Sequence, residues 1–90
     1  MLENRVTVIN DLGLHARAAA QLVKTARLFS SRIILTHSGS GITANAKSIL
    51  SLLYLAASKG VTVVVNVDGD DETEAAAAIE KLFLEGFGEL

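Results

Sequence analysis

The feature that most limits what this chain can become is the run Val61-Thr62-Val63-Val64-Val65-Asn66-Val67, in which Val61, Val63, Val65 and Val67 alternate with Thr62, Val64 and Asn66. Successive side chains of an extended strand point to opposite faces, so one face of this segment is continuously apolar. Valine is stiff at its branched carbon and fits a pleated, half-buried surface. The run predicts a strand in a sheet with one face covered. Other segments must supply the cover.

They do so in a readable order. Arg5 to Asn10 alternates and predicts a first strand, with Val6 and Val8 on one face. Asn10-Asp11-Leu12-Gly13 has the composition of a turn. A helix is expected from Ala16 to Arg27, where Ala19, Leu22, Val23 and Ala26 repeat at the spacing of a core-facing stripe. Ser30 and Ser31 end it. Ser31 to His37 predicts a second strand around Ile33, Ile34 and Leu35. Ser38-Gly39-Ser40-Gly41 predicts a hairpin turn, and Ile42 to Asn45 a short third strand.

Lys47 to Leu55 reads as a short helix opened by Ser48 as its cap. It is apolar on more than one side, so Ile49, Leu52 and Leu53 or Leu55 cannot all face one core. After the valine strand, Asp68-Gly69-Asp70-Asp71-Glu72 turns into a last helix, its acids placed where the helix dipole favours them. Ala75, Ala76, Ile79, Leu82 and Phe83 form its apolar stripe, and Gly86, Phe87 and Gly88 read as a frayed tail. The order β-α-β-β-α-β-α predicts a two-layer α+β domain, a mostly antiparallel sheet covered on one face.

Ninety residues make one small domain, residues 1–90. There is no cysteine, so the chain carries neither disulfides nor thiolate metal sites and suits a reducing compartment. No apolar run approaches the roughly 20 residues that span a bilayer, and no secretory leader is recognisable at Met1-Leu2-Glu3-Asn4-Arg5. A cytoplasmic location without membrane insertion is expected. Net charge is −2, yet no Asp or Glu lies between Leu12 and Val67, where Arg17, Lys24, Arg27, Arg32, Lys47 and Lys59 fall. This asymmetry points to a basic face for a phosphate or an acidic partner, or to ordinary solvated charge. Six scattered cations beside a single tyrosine do not make a nucleic-acid surface.

The chemistry centres on Gly13-Leu14-His15-Ala16-Arg17-Ala18, where a histidine stands at the start of a helix. Helix starts hold unpaired N–H groups and a partial positive charge, and so favour anions. Imidazole is substantially neutral near pH 7 and can attack phosphorus without a separate base. Arg17, two residues on, can donate charge-assisted hydrogen bonds to phosphoryl oxygens. The bland reading is a polar surface histidine. Only His15 and His37 are available as nitrogen ligands, and the acids after Val67 lack the twelve-residue calcium-loop spacing, so no metal site is expected. No nucleotide loop is present, and no cofactor is expected. Ser48 is a second candidate: most simply a cap, alternatively a phosphorylation site beside Lys47, with Ile49, Leu50 and Leu53 as an exposed patch or as core.

Gly13-Leu14-His15-Ala16-Arg17 and Asn45-Ala46-Lys47-Ser48-Ile49-Leu50 together resemble the active-site and regulatory-serine segments of HPr, the histidine-containing phosphocarrier family of the bacterial sugar phosphotransferase system (PTS). The resemblance covers essentially the whole chain and implies the family's open-faced β-sandwich, four strands covered on one face by three helices. It implies that His15 accepts a phosphoryl group on Nδ1 from phosphorylated Enzyme I, assisted by Arg17, and passes it to EIIA domains. HPr kinase/phosphorylase would modify Ser48 in some bacteria. Partner contacts would fall on Ala16, Ala20, Lys24, Arg27, Lys47, Ile49, Leu50 and Leu53, and the carrier would act as a monomer. Such a protein is a component of a transfer chain rather than a stand-alone enzyme.

Two departures stand out. The family's motif usually continues with proline after the arginine, and here that position is Ala18. The interval from His15 to Ser48 is also about two residues longer than in familiar members, and the Ser38–Ile42 region is where a hairpin absorbs length cheaply. The alternative reading is a regulatory binding module, of nitrogen-pathway type or controlled through Ser48, with weak or no phosphotransfer to sugar. A third is a small ligand-binding domain in which His15 is incidental.

Overall fold

The computed structural model describes residues 1–90. Its elements are β1 (Leu2–Thr7), α1 (Ala16–Ala26), β2 (Arg32–His37), β3 (Thr43–Asn45), α2 (Ile49–Leu55), β4 (Thr62–Asp68) and α3 (Glu72–Leu84), followed by a single 3-10 turn at Gly86–Gly88. The strands form one antiparallel sheet in the order β1-β4-β2-β3. The valine strand is thus interior, paired with β1 on one side and β2 on the other. Val6 faces Val63, Leu35 faces Val65, and Ile33 faces Val67. These pairs share the covered face, and all six side chains are buried. Val64 and Asn66 lie on the open face and are half-buried.

One apolar cluster joins the covered sheet face to the three helices. Helix α3 lies against β1 and β4, α2 against β3, and α1 packs on both helices. In α1 the buried residues are Ala18, Ala19, Leu22 and Ala26, while Val23 is only partly covered. In α2, Leu52 and Leu55 are buried and Ile49, Leu50 and Leu53 face outward, which resolves the two-sided apolar pattern of that helix.

Several sequence expectations need correction. The first strand spans Leu2–Thr7 rather than Arg5–Asn10. Thr7 opposite Thr62 is its last rung, and Asn10 leaves the sheet because its side chain has other partners. The third strand starts at Thr43, not Ile42, and α2 starts at Ile49, not Lys47. Asn45 Oδ1 accepts from the Lys47 N–H at 2.9 Å, a turn that keeps residues 46–48 out of the helix.

At α3, Asp71 occupies the cap position without capping. Its carboxylate accepts instead from the backbone N–H groups of Ser30 (2.9 Å) and Ser31 (3.0 Å) and from the Ser31 hydroxyl. These donors, the hydroxyl foremost, hold the carboxyl below its ordinary range. Glu72 takes the N-terminal ammonium at 2.7 Å. Asp71 and Glu72 are therefore committed to tertiary ties as well as to the helix dipole.

The largest correction concerns the tail, which is docked rather than frayed. Phe87 is buried and meets Phe83 edge-to-face with ring centroids 5.0 Å apart. Gln21 Nε2 donates to the Phe87 carbonyl at 3.2 Å, fastening the turn to α1. Phe87 holds φ at +56°, a conformation that costs a residue with a Cβ about 1–2 kcal/mol. Burying the ring returns about 1.5–3 kcal/mol, enough to hold the turn in place.

Candidate functional site

His15 is the N-cap of α1, with extended backbone angles (φ −77°, ψ −178°). Two local devices put it there. Gly13 adopts φ +64°, and a Cβ at that position would lie 2.6 Å from the Ala57 carbonyl oxygen, so only glycine lets the loop pass this close to the end of α2. The next N–H, that of Leu14, donates to the same oxygen at 2.9 Å. The buried Leu14 side chain then anchors the turn in the core.

The two ring nitrogens of His15 face different surroundings. Nδ1 looks along the first turn of α1 and accepts from the Arg17 N–H at 3.4 Å, a long and therefore weak bond. Nε2 meets the carboxylate of Glu89. Both contacts are satisfied by one neutral tautomer, with the hydrogen on Nε2 and the lone pair on Nδ1. The first turn of α1 contains no acidic residue. Arg17 is exposed and forms no ion pair, so its guanidinium is not committed to a partner elsewhere in the fold. Ala18 is fully buried at the third helical position, where a backbone N–H has no partner within the helix.

Glu89 is the residue sequence reasoning missed. Asn10, buried, donates from Nδ2 to the Gly13 carbonyl (2.9 Å) and to Glu89 Oε1 (3.0 Å), while Oε2 of Glu89 faces His15. The Asn10 amide, then His15 and Arg17, hold the Glu89 carboxyl below its usual range. Two glycines around Phe87 suggested a loose end, and nothing local in the sequence signals a partner 74 residues away. The other histidine, His37, serves structure: its Nδ1 accepts from the Gly39 and Ser40 N–H groups at 3.1 and 3.2 Å, closing the hairpin.

Ser48 is the N-cap of α2, its hydroxyl accepting from the Ser51 N–H at 3.3 Å. It stands at the opposite end of α1 from His15: Arg27, just past that helix, donates to the Lys47 carbonyl at 3.1 Å, and Lys47 Nζ donates to the Phe29 carbonyl at 2.8 Å. Ala16, Ala20, Lys24 and Arg27 are all exposed and recur on one side of α1, a stripe that leads from His15 towards Ser48. Beyond it Ile49, Leu50, Leu53 and Tyr54 present apolar surface, Leu50 with 76 % of its area exposed. These residues leave the outer side of α2 apolar and uncovered.

Comparison with known proteins agrees with this geometry. The profile of the family described as "PTS HPr component phosphorylation site" matches residues 2–85. The phosphocarrier protein HPr of Xylella fastidiosa (strain Temecula1) is 47% identical over 89 residues, covering 99% of this chain and 98% of that protein. HPr of Neisseria meningitidis serogroup B is 43% identical over the same length. The crystal structure of HPr from Thermoanaerobacter tengcongensis superposes with a TM-score of 0.93 at 41% identity, covering 100% of this chain and 99% of that one.

Proposed function

The chain belongs to the HPr family of phosphocarrier proteins of the phosphotransferase system, and on that premise we propose that it carries a phosphoryl group on Nδ1 of His15, from phosphorylated Enzyme I to an EIIA domain. The observation that supports this most is the placement of Nδ1 at the cap of α1, where it faces the Arg17 backbone N–H, with the Arg17 side chain exposed and free of any ion pair. In the forward step the Nδ1 lone pair attacks phosphorus and an N–P bond forms. The donor's bond to phosphorus breaks, and its electron pair stays with the donor. The phosphoryl oxygens meet the helix-start N–H groups and Arg17, which stabilise negative charge without further reorganisation. No carboxylate activates a water beside Nδ1, so the site favours holding and handing on over hydrolysis.

Partners dock on the stripe of Ala16, Ala20, Lys24 and Arg27, together with Lys47, Ile49, Leu50 and Leu53. The small alanines let a partner approach His15 closely, and the apolar residues of α2 provide buried area. The protein works in the cytoplasm as a monomeric member of a transfer chain serving sugar uptake. No helix is long and apolar enough to cross a membrane.

Incubation with phosphoenolpyruvate and a cognate Enzyme I tests the reading. Acid-labile phosphate should appear on the wild type and be absent from His15→Ala. Equal labelling of both proteins, or none of the wild type, would overturn it. A second reading, control through Ser48, is favoured by the exposed Ile49 and Leu50 beside that hydroxyl, where an added charge would disturb docking. Acid-stable phosphate on Ser48 after treatment with HPr kinase/phosphorylase, accompanied by slower transfer from Enzyme I, is its expected signature.

A further inference from the structure

The contact between Glu89 and His15 joins two residues that neither the fold nor the capping of α1 requires to meet. The sheet and the core close without it, and α1 is already capped by the Nδ1 side of the ring. Yet the structure commits four groups to bringing this carboxylate to Nε2. Phe87 is buried in a left-handed conformation, Phe83 packs on its ring, Gln21 clips its carbonyl, and the buried Asn10 amide grips Glu89 Oε1. A side chain held at this cost sets the state of what it touches. We infer that Glu89 is a positioning residue for phosphoryl transfer, accepting the Nε2 hydrogen so that the lone pair of His15 remains on Nδ1 and Nε2 is closed to phosphorylation.

This inference rests on the phosphocarrier reading and adds a second group to its chemistry. An imidazole in water exchanges its single hydrogen between two nitrogens and turns about its side-chain bonds. A carboxylate on one nitrogen fixes both the tautomer and the ring plane, which is the part an aspartate plays behind the histidine of a serine hydrolase. When the N–P bond forms at Nδ1, the ring keeps its Nε2 hydrogen and becomes positively charged. That charge develops against the Glu89 carboxylate, on the edge of the ring remote from the phosphoryl oxygens. Onward transfer reverses the step: the N–P bond breaks, its electron pair returns to Nδ1, and the hydrogen has never left Nε2. Arg17 is the other charged group near the pair, and its charge acts on the Glu89 carboxylate in the same direction as that of His15.

The test uses potassium phosphoramidate, a small donor that needs no partner protein, and reads the site of labelling by NMR of protein labelled with 15N at histidine. Wild type should carry phosphate on Nδ1 of His15 alone, with Nε2 protonated before the reaction. Glu89→Ala should lose that selectivity, giving Nε2-phosphohistidine as a major product, and should accept phosphate from Enzyme I at least tenfold more slowly. Glu89→Gln keeps the shape of the side chain but leaves a single acceptor: with its carbonyl oxygen held by Asn10 Nδ2, its amide NH2 donates toward Nε2 and draws the lone pair there. It should therefore move labelling toward Nε2 while the Phe87 ring keeps its packed NMR environment, an outcome that loosening of the tail cannot produce. If Glu89→Ala is labelled on Nδ1 alone and at the wild-type rate, the positioning role is overturned while the carrier reading stands. If Enzyme I leaves the wild type unlabelled although phosphoramidate selects Nδ1 only when Glu89 is present, the carrier reading fails and the positioning role stands.

Discussion

His15 and Ser48 both cap helices, yet they are built differently. His15 opens the eleven-residue α1 and is held from behind by a carboxylate far along the chain. Ser48 opens the seven-residue α2 and has only local bonds: its hydroxyl accepts from the Ser51 N–H, and its own N–H donates to the Asn45 carbonyl. A neutral imidazole carries a nucleophilic lone pair of its own, whereas a serine hydroxyl needs a base that the hydrogen-bond partners of Ser48 do not include. On the proposed reading, the first site is prepared by the fold to react. The other can be modified only by an enzyme that brings its own base, so it suits control exercised from outside.

Removing the tail anchor should separate the two sites most sharply. Phe87→Ala should destabilise the fold by about 3 kcal/mol, visible as a lower urea midpoint, and slow His15 labelling through loss of the Glu89 contact. Backbone resonances around Ser48 should stay where they are, and movement there would show that the two caps are not independent. Next in size, Ser48→Ala removes a cap and should cost about 1 kcal/mol in the same unfolding assay. Phosphoramidate labelling of His15 should be unchanged.

Ala18→Pro comes third. At the third helical position the lost N–H had no intrahelical partner, so stability should change by less than about 1 kcal/mol. The rate of transfer from Enzyme I should change more than the thermal midpoint does. A large stability loss with unaltered transfer would contradict this.

The smallest effect is that of pH. Glu89 has a lowered folded-state pKa, so its contribution is fully present above the ordinary glutamate value of about 4.3 and disappears as pH falls below it. Asp71, also lowered, behaves alike around its own ordinary value of about 3.9. Acid titration followed by NMR should show Phe87 and His15 losing their fixed environments at a pH where the valine strand remains protected. Simultaneous loss of all three would mean that the tail is not a separate unit.

Much of this arrangement was legible in the sequence wherever the pattern was periodic. The alternating valines located the interior strand, and the spacing of Ala19, Leu22 and Ala26 located the covered side of α1. The first strand was misplaced because Glu3, Arg5 and Thr7 line its exposed face and leave only Leu2 and Val6 as apolar markers. For the candidate site, the sequence placed His15 and Ser48 at helix starts with Arg17 two residues past the histidine, and the structure has them there. Asn10 and Glu89 did not, because their partnership is made by folding and not by proximity in the chain. The glycines flanking Phe87 misled for a related reason: left-handed geometry serves a tight, packed turn as readily as a loose end.

The close approach of Gly13 to Ala57 has a mechanical meaning. The loop that presents His15 is bolted through a backbone hydrogen bond to the segment that ends α2, the helix with the exposed apolar outer side. On the proposed docking mode, a partner seated on α2 would thereby gauge the distance to the imidazole, as a workpiece clamped to a jig is located for the drill. The tolerance of that jig is set by backbone atoms, with no flexible side chain in between. Lengthening the chain at the hairpin beyond β2 leaves the gauge intact, whereas one methyl group at position 13 would throw it out of true.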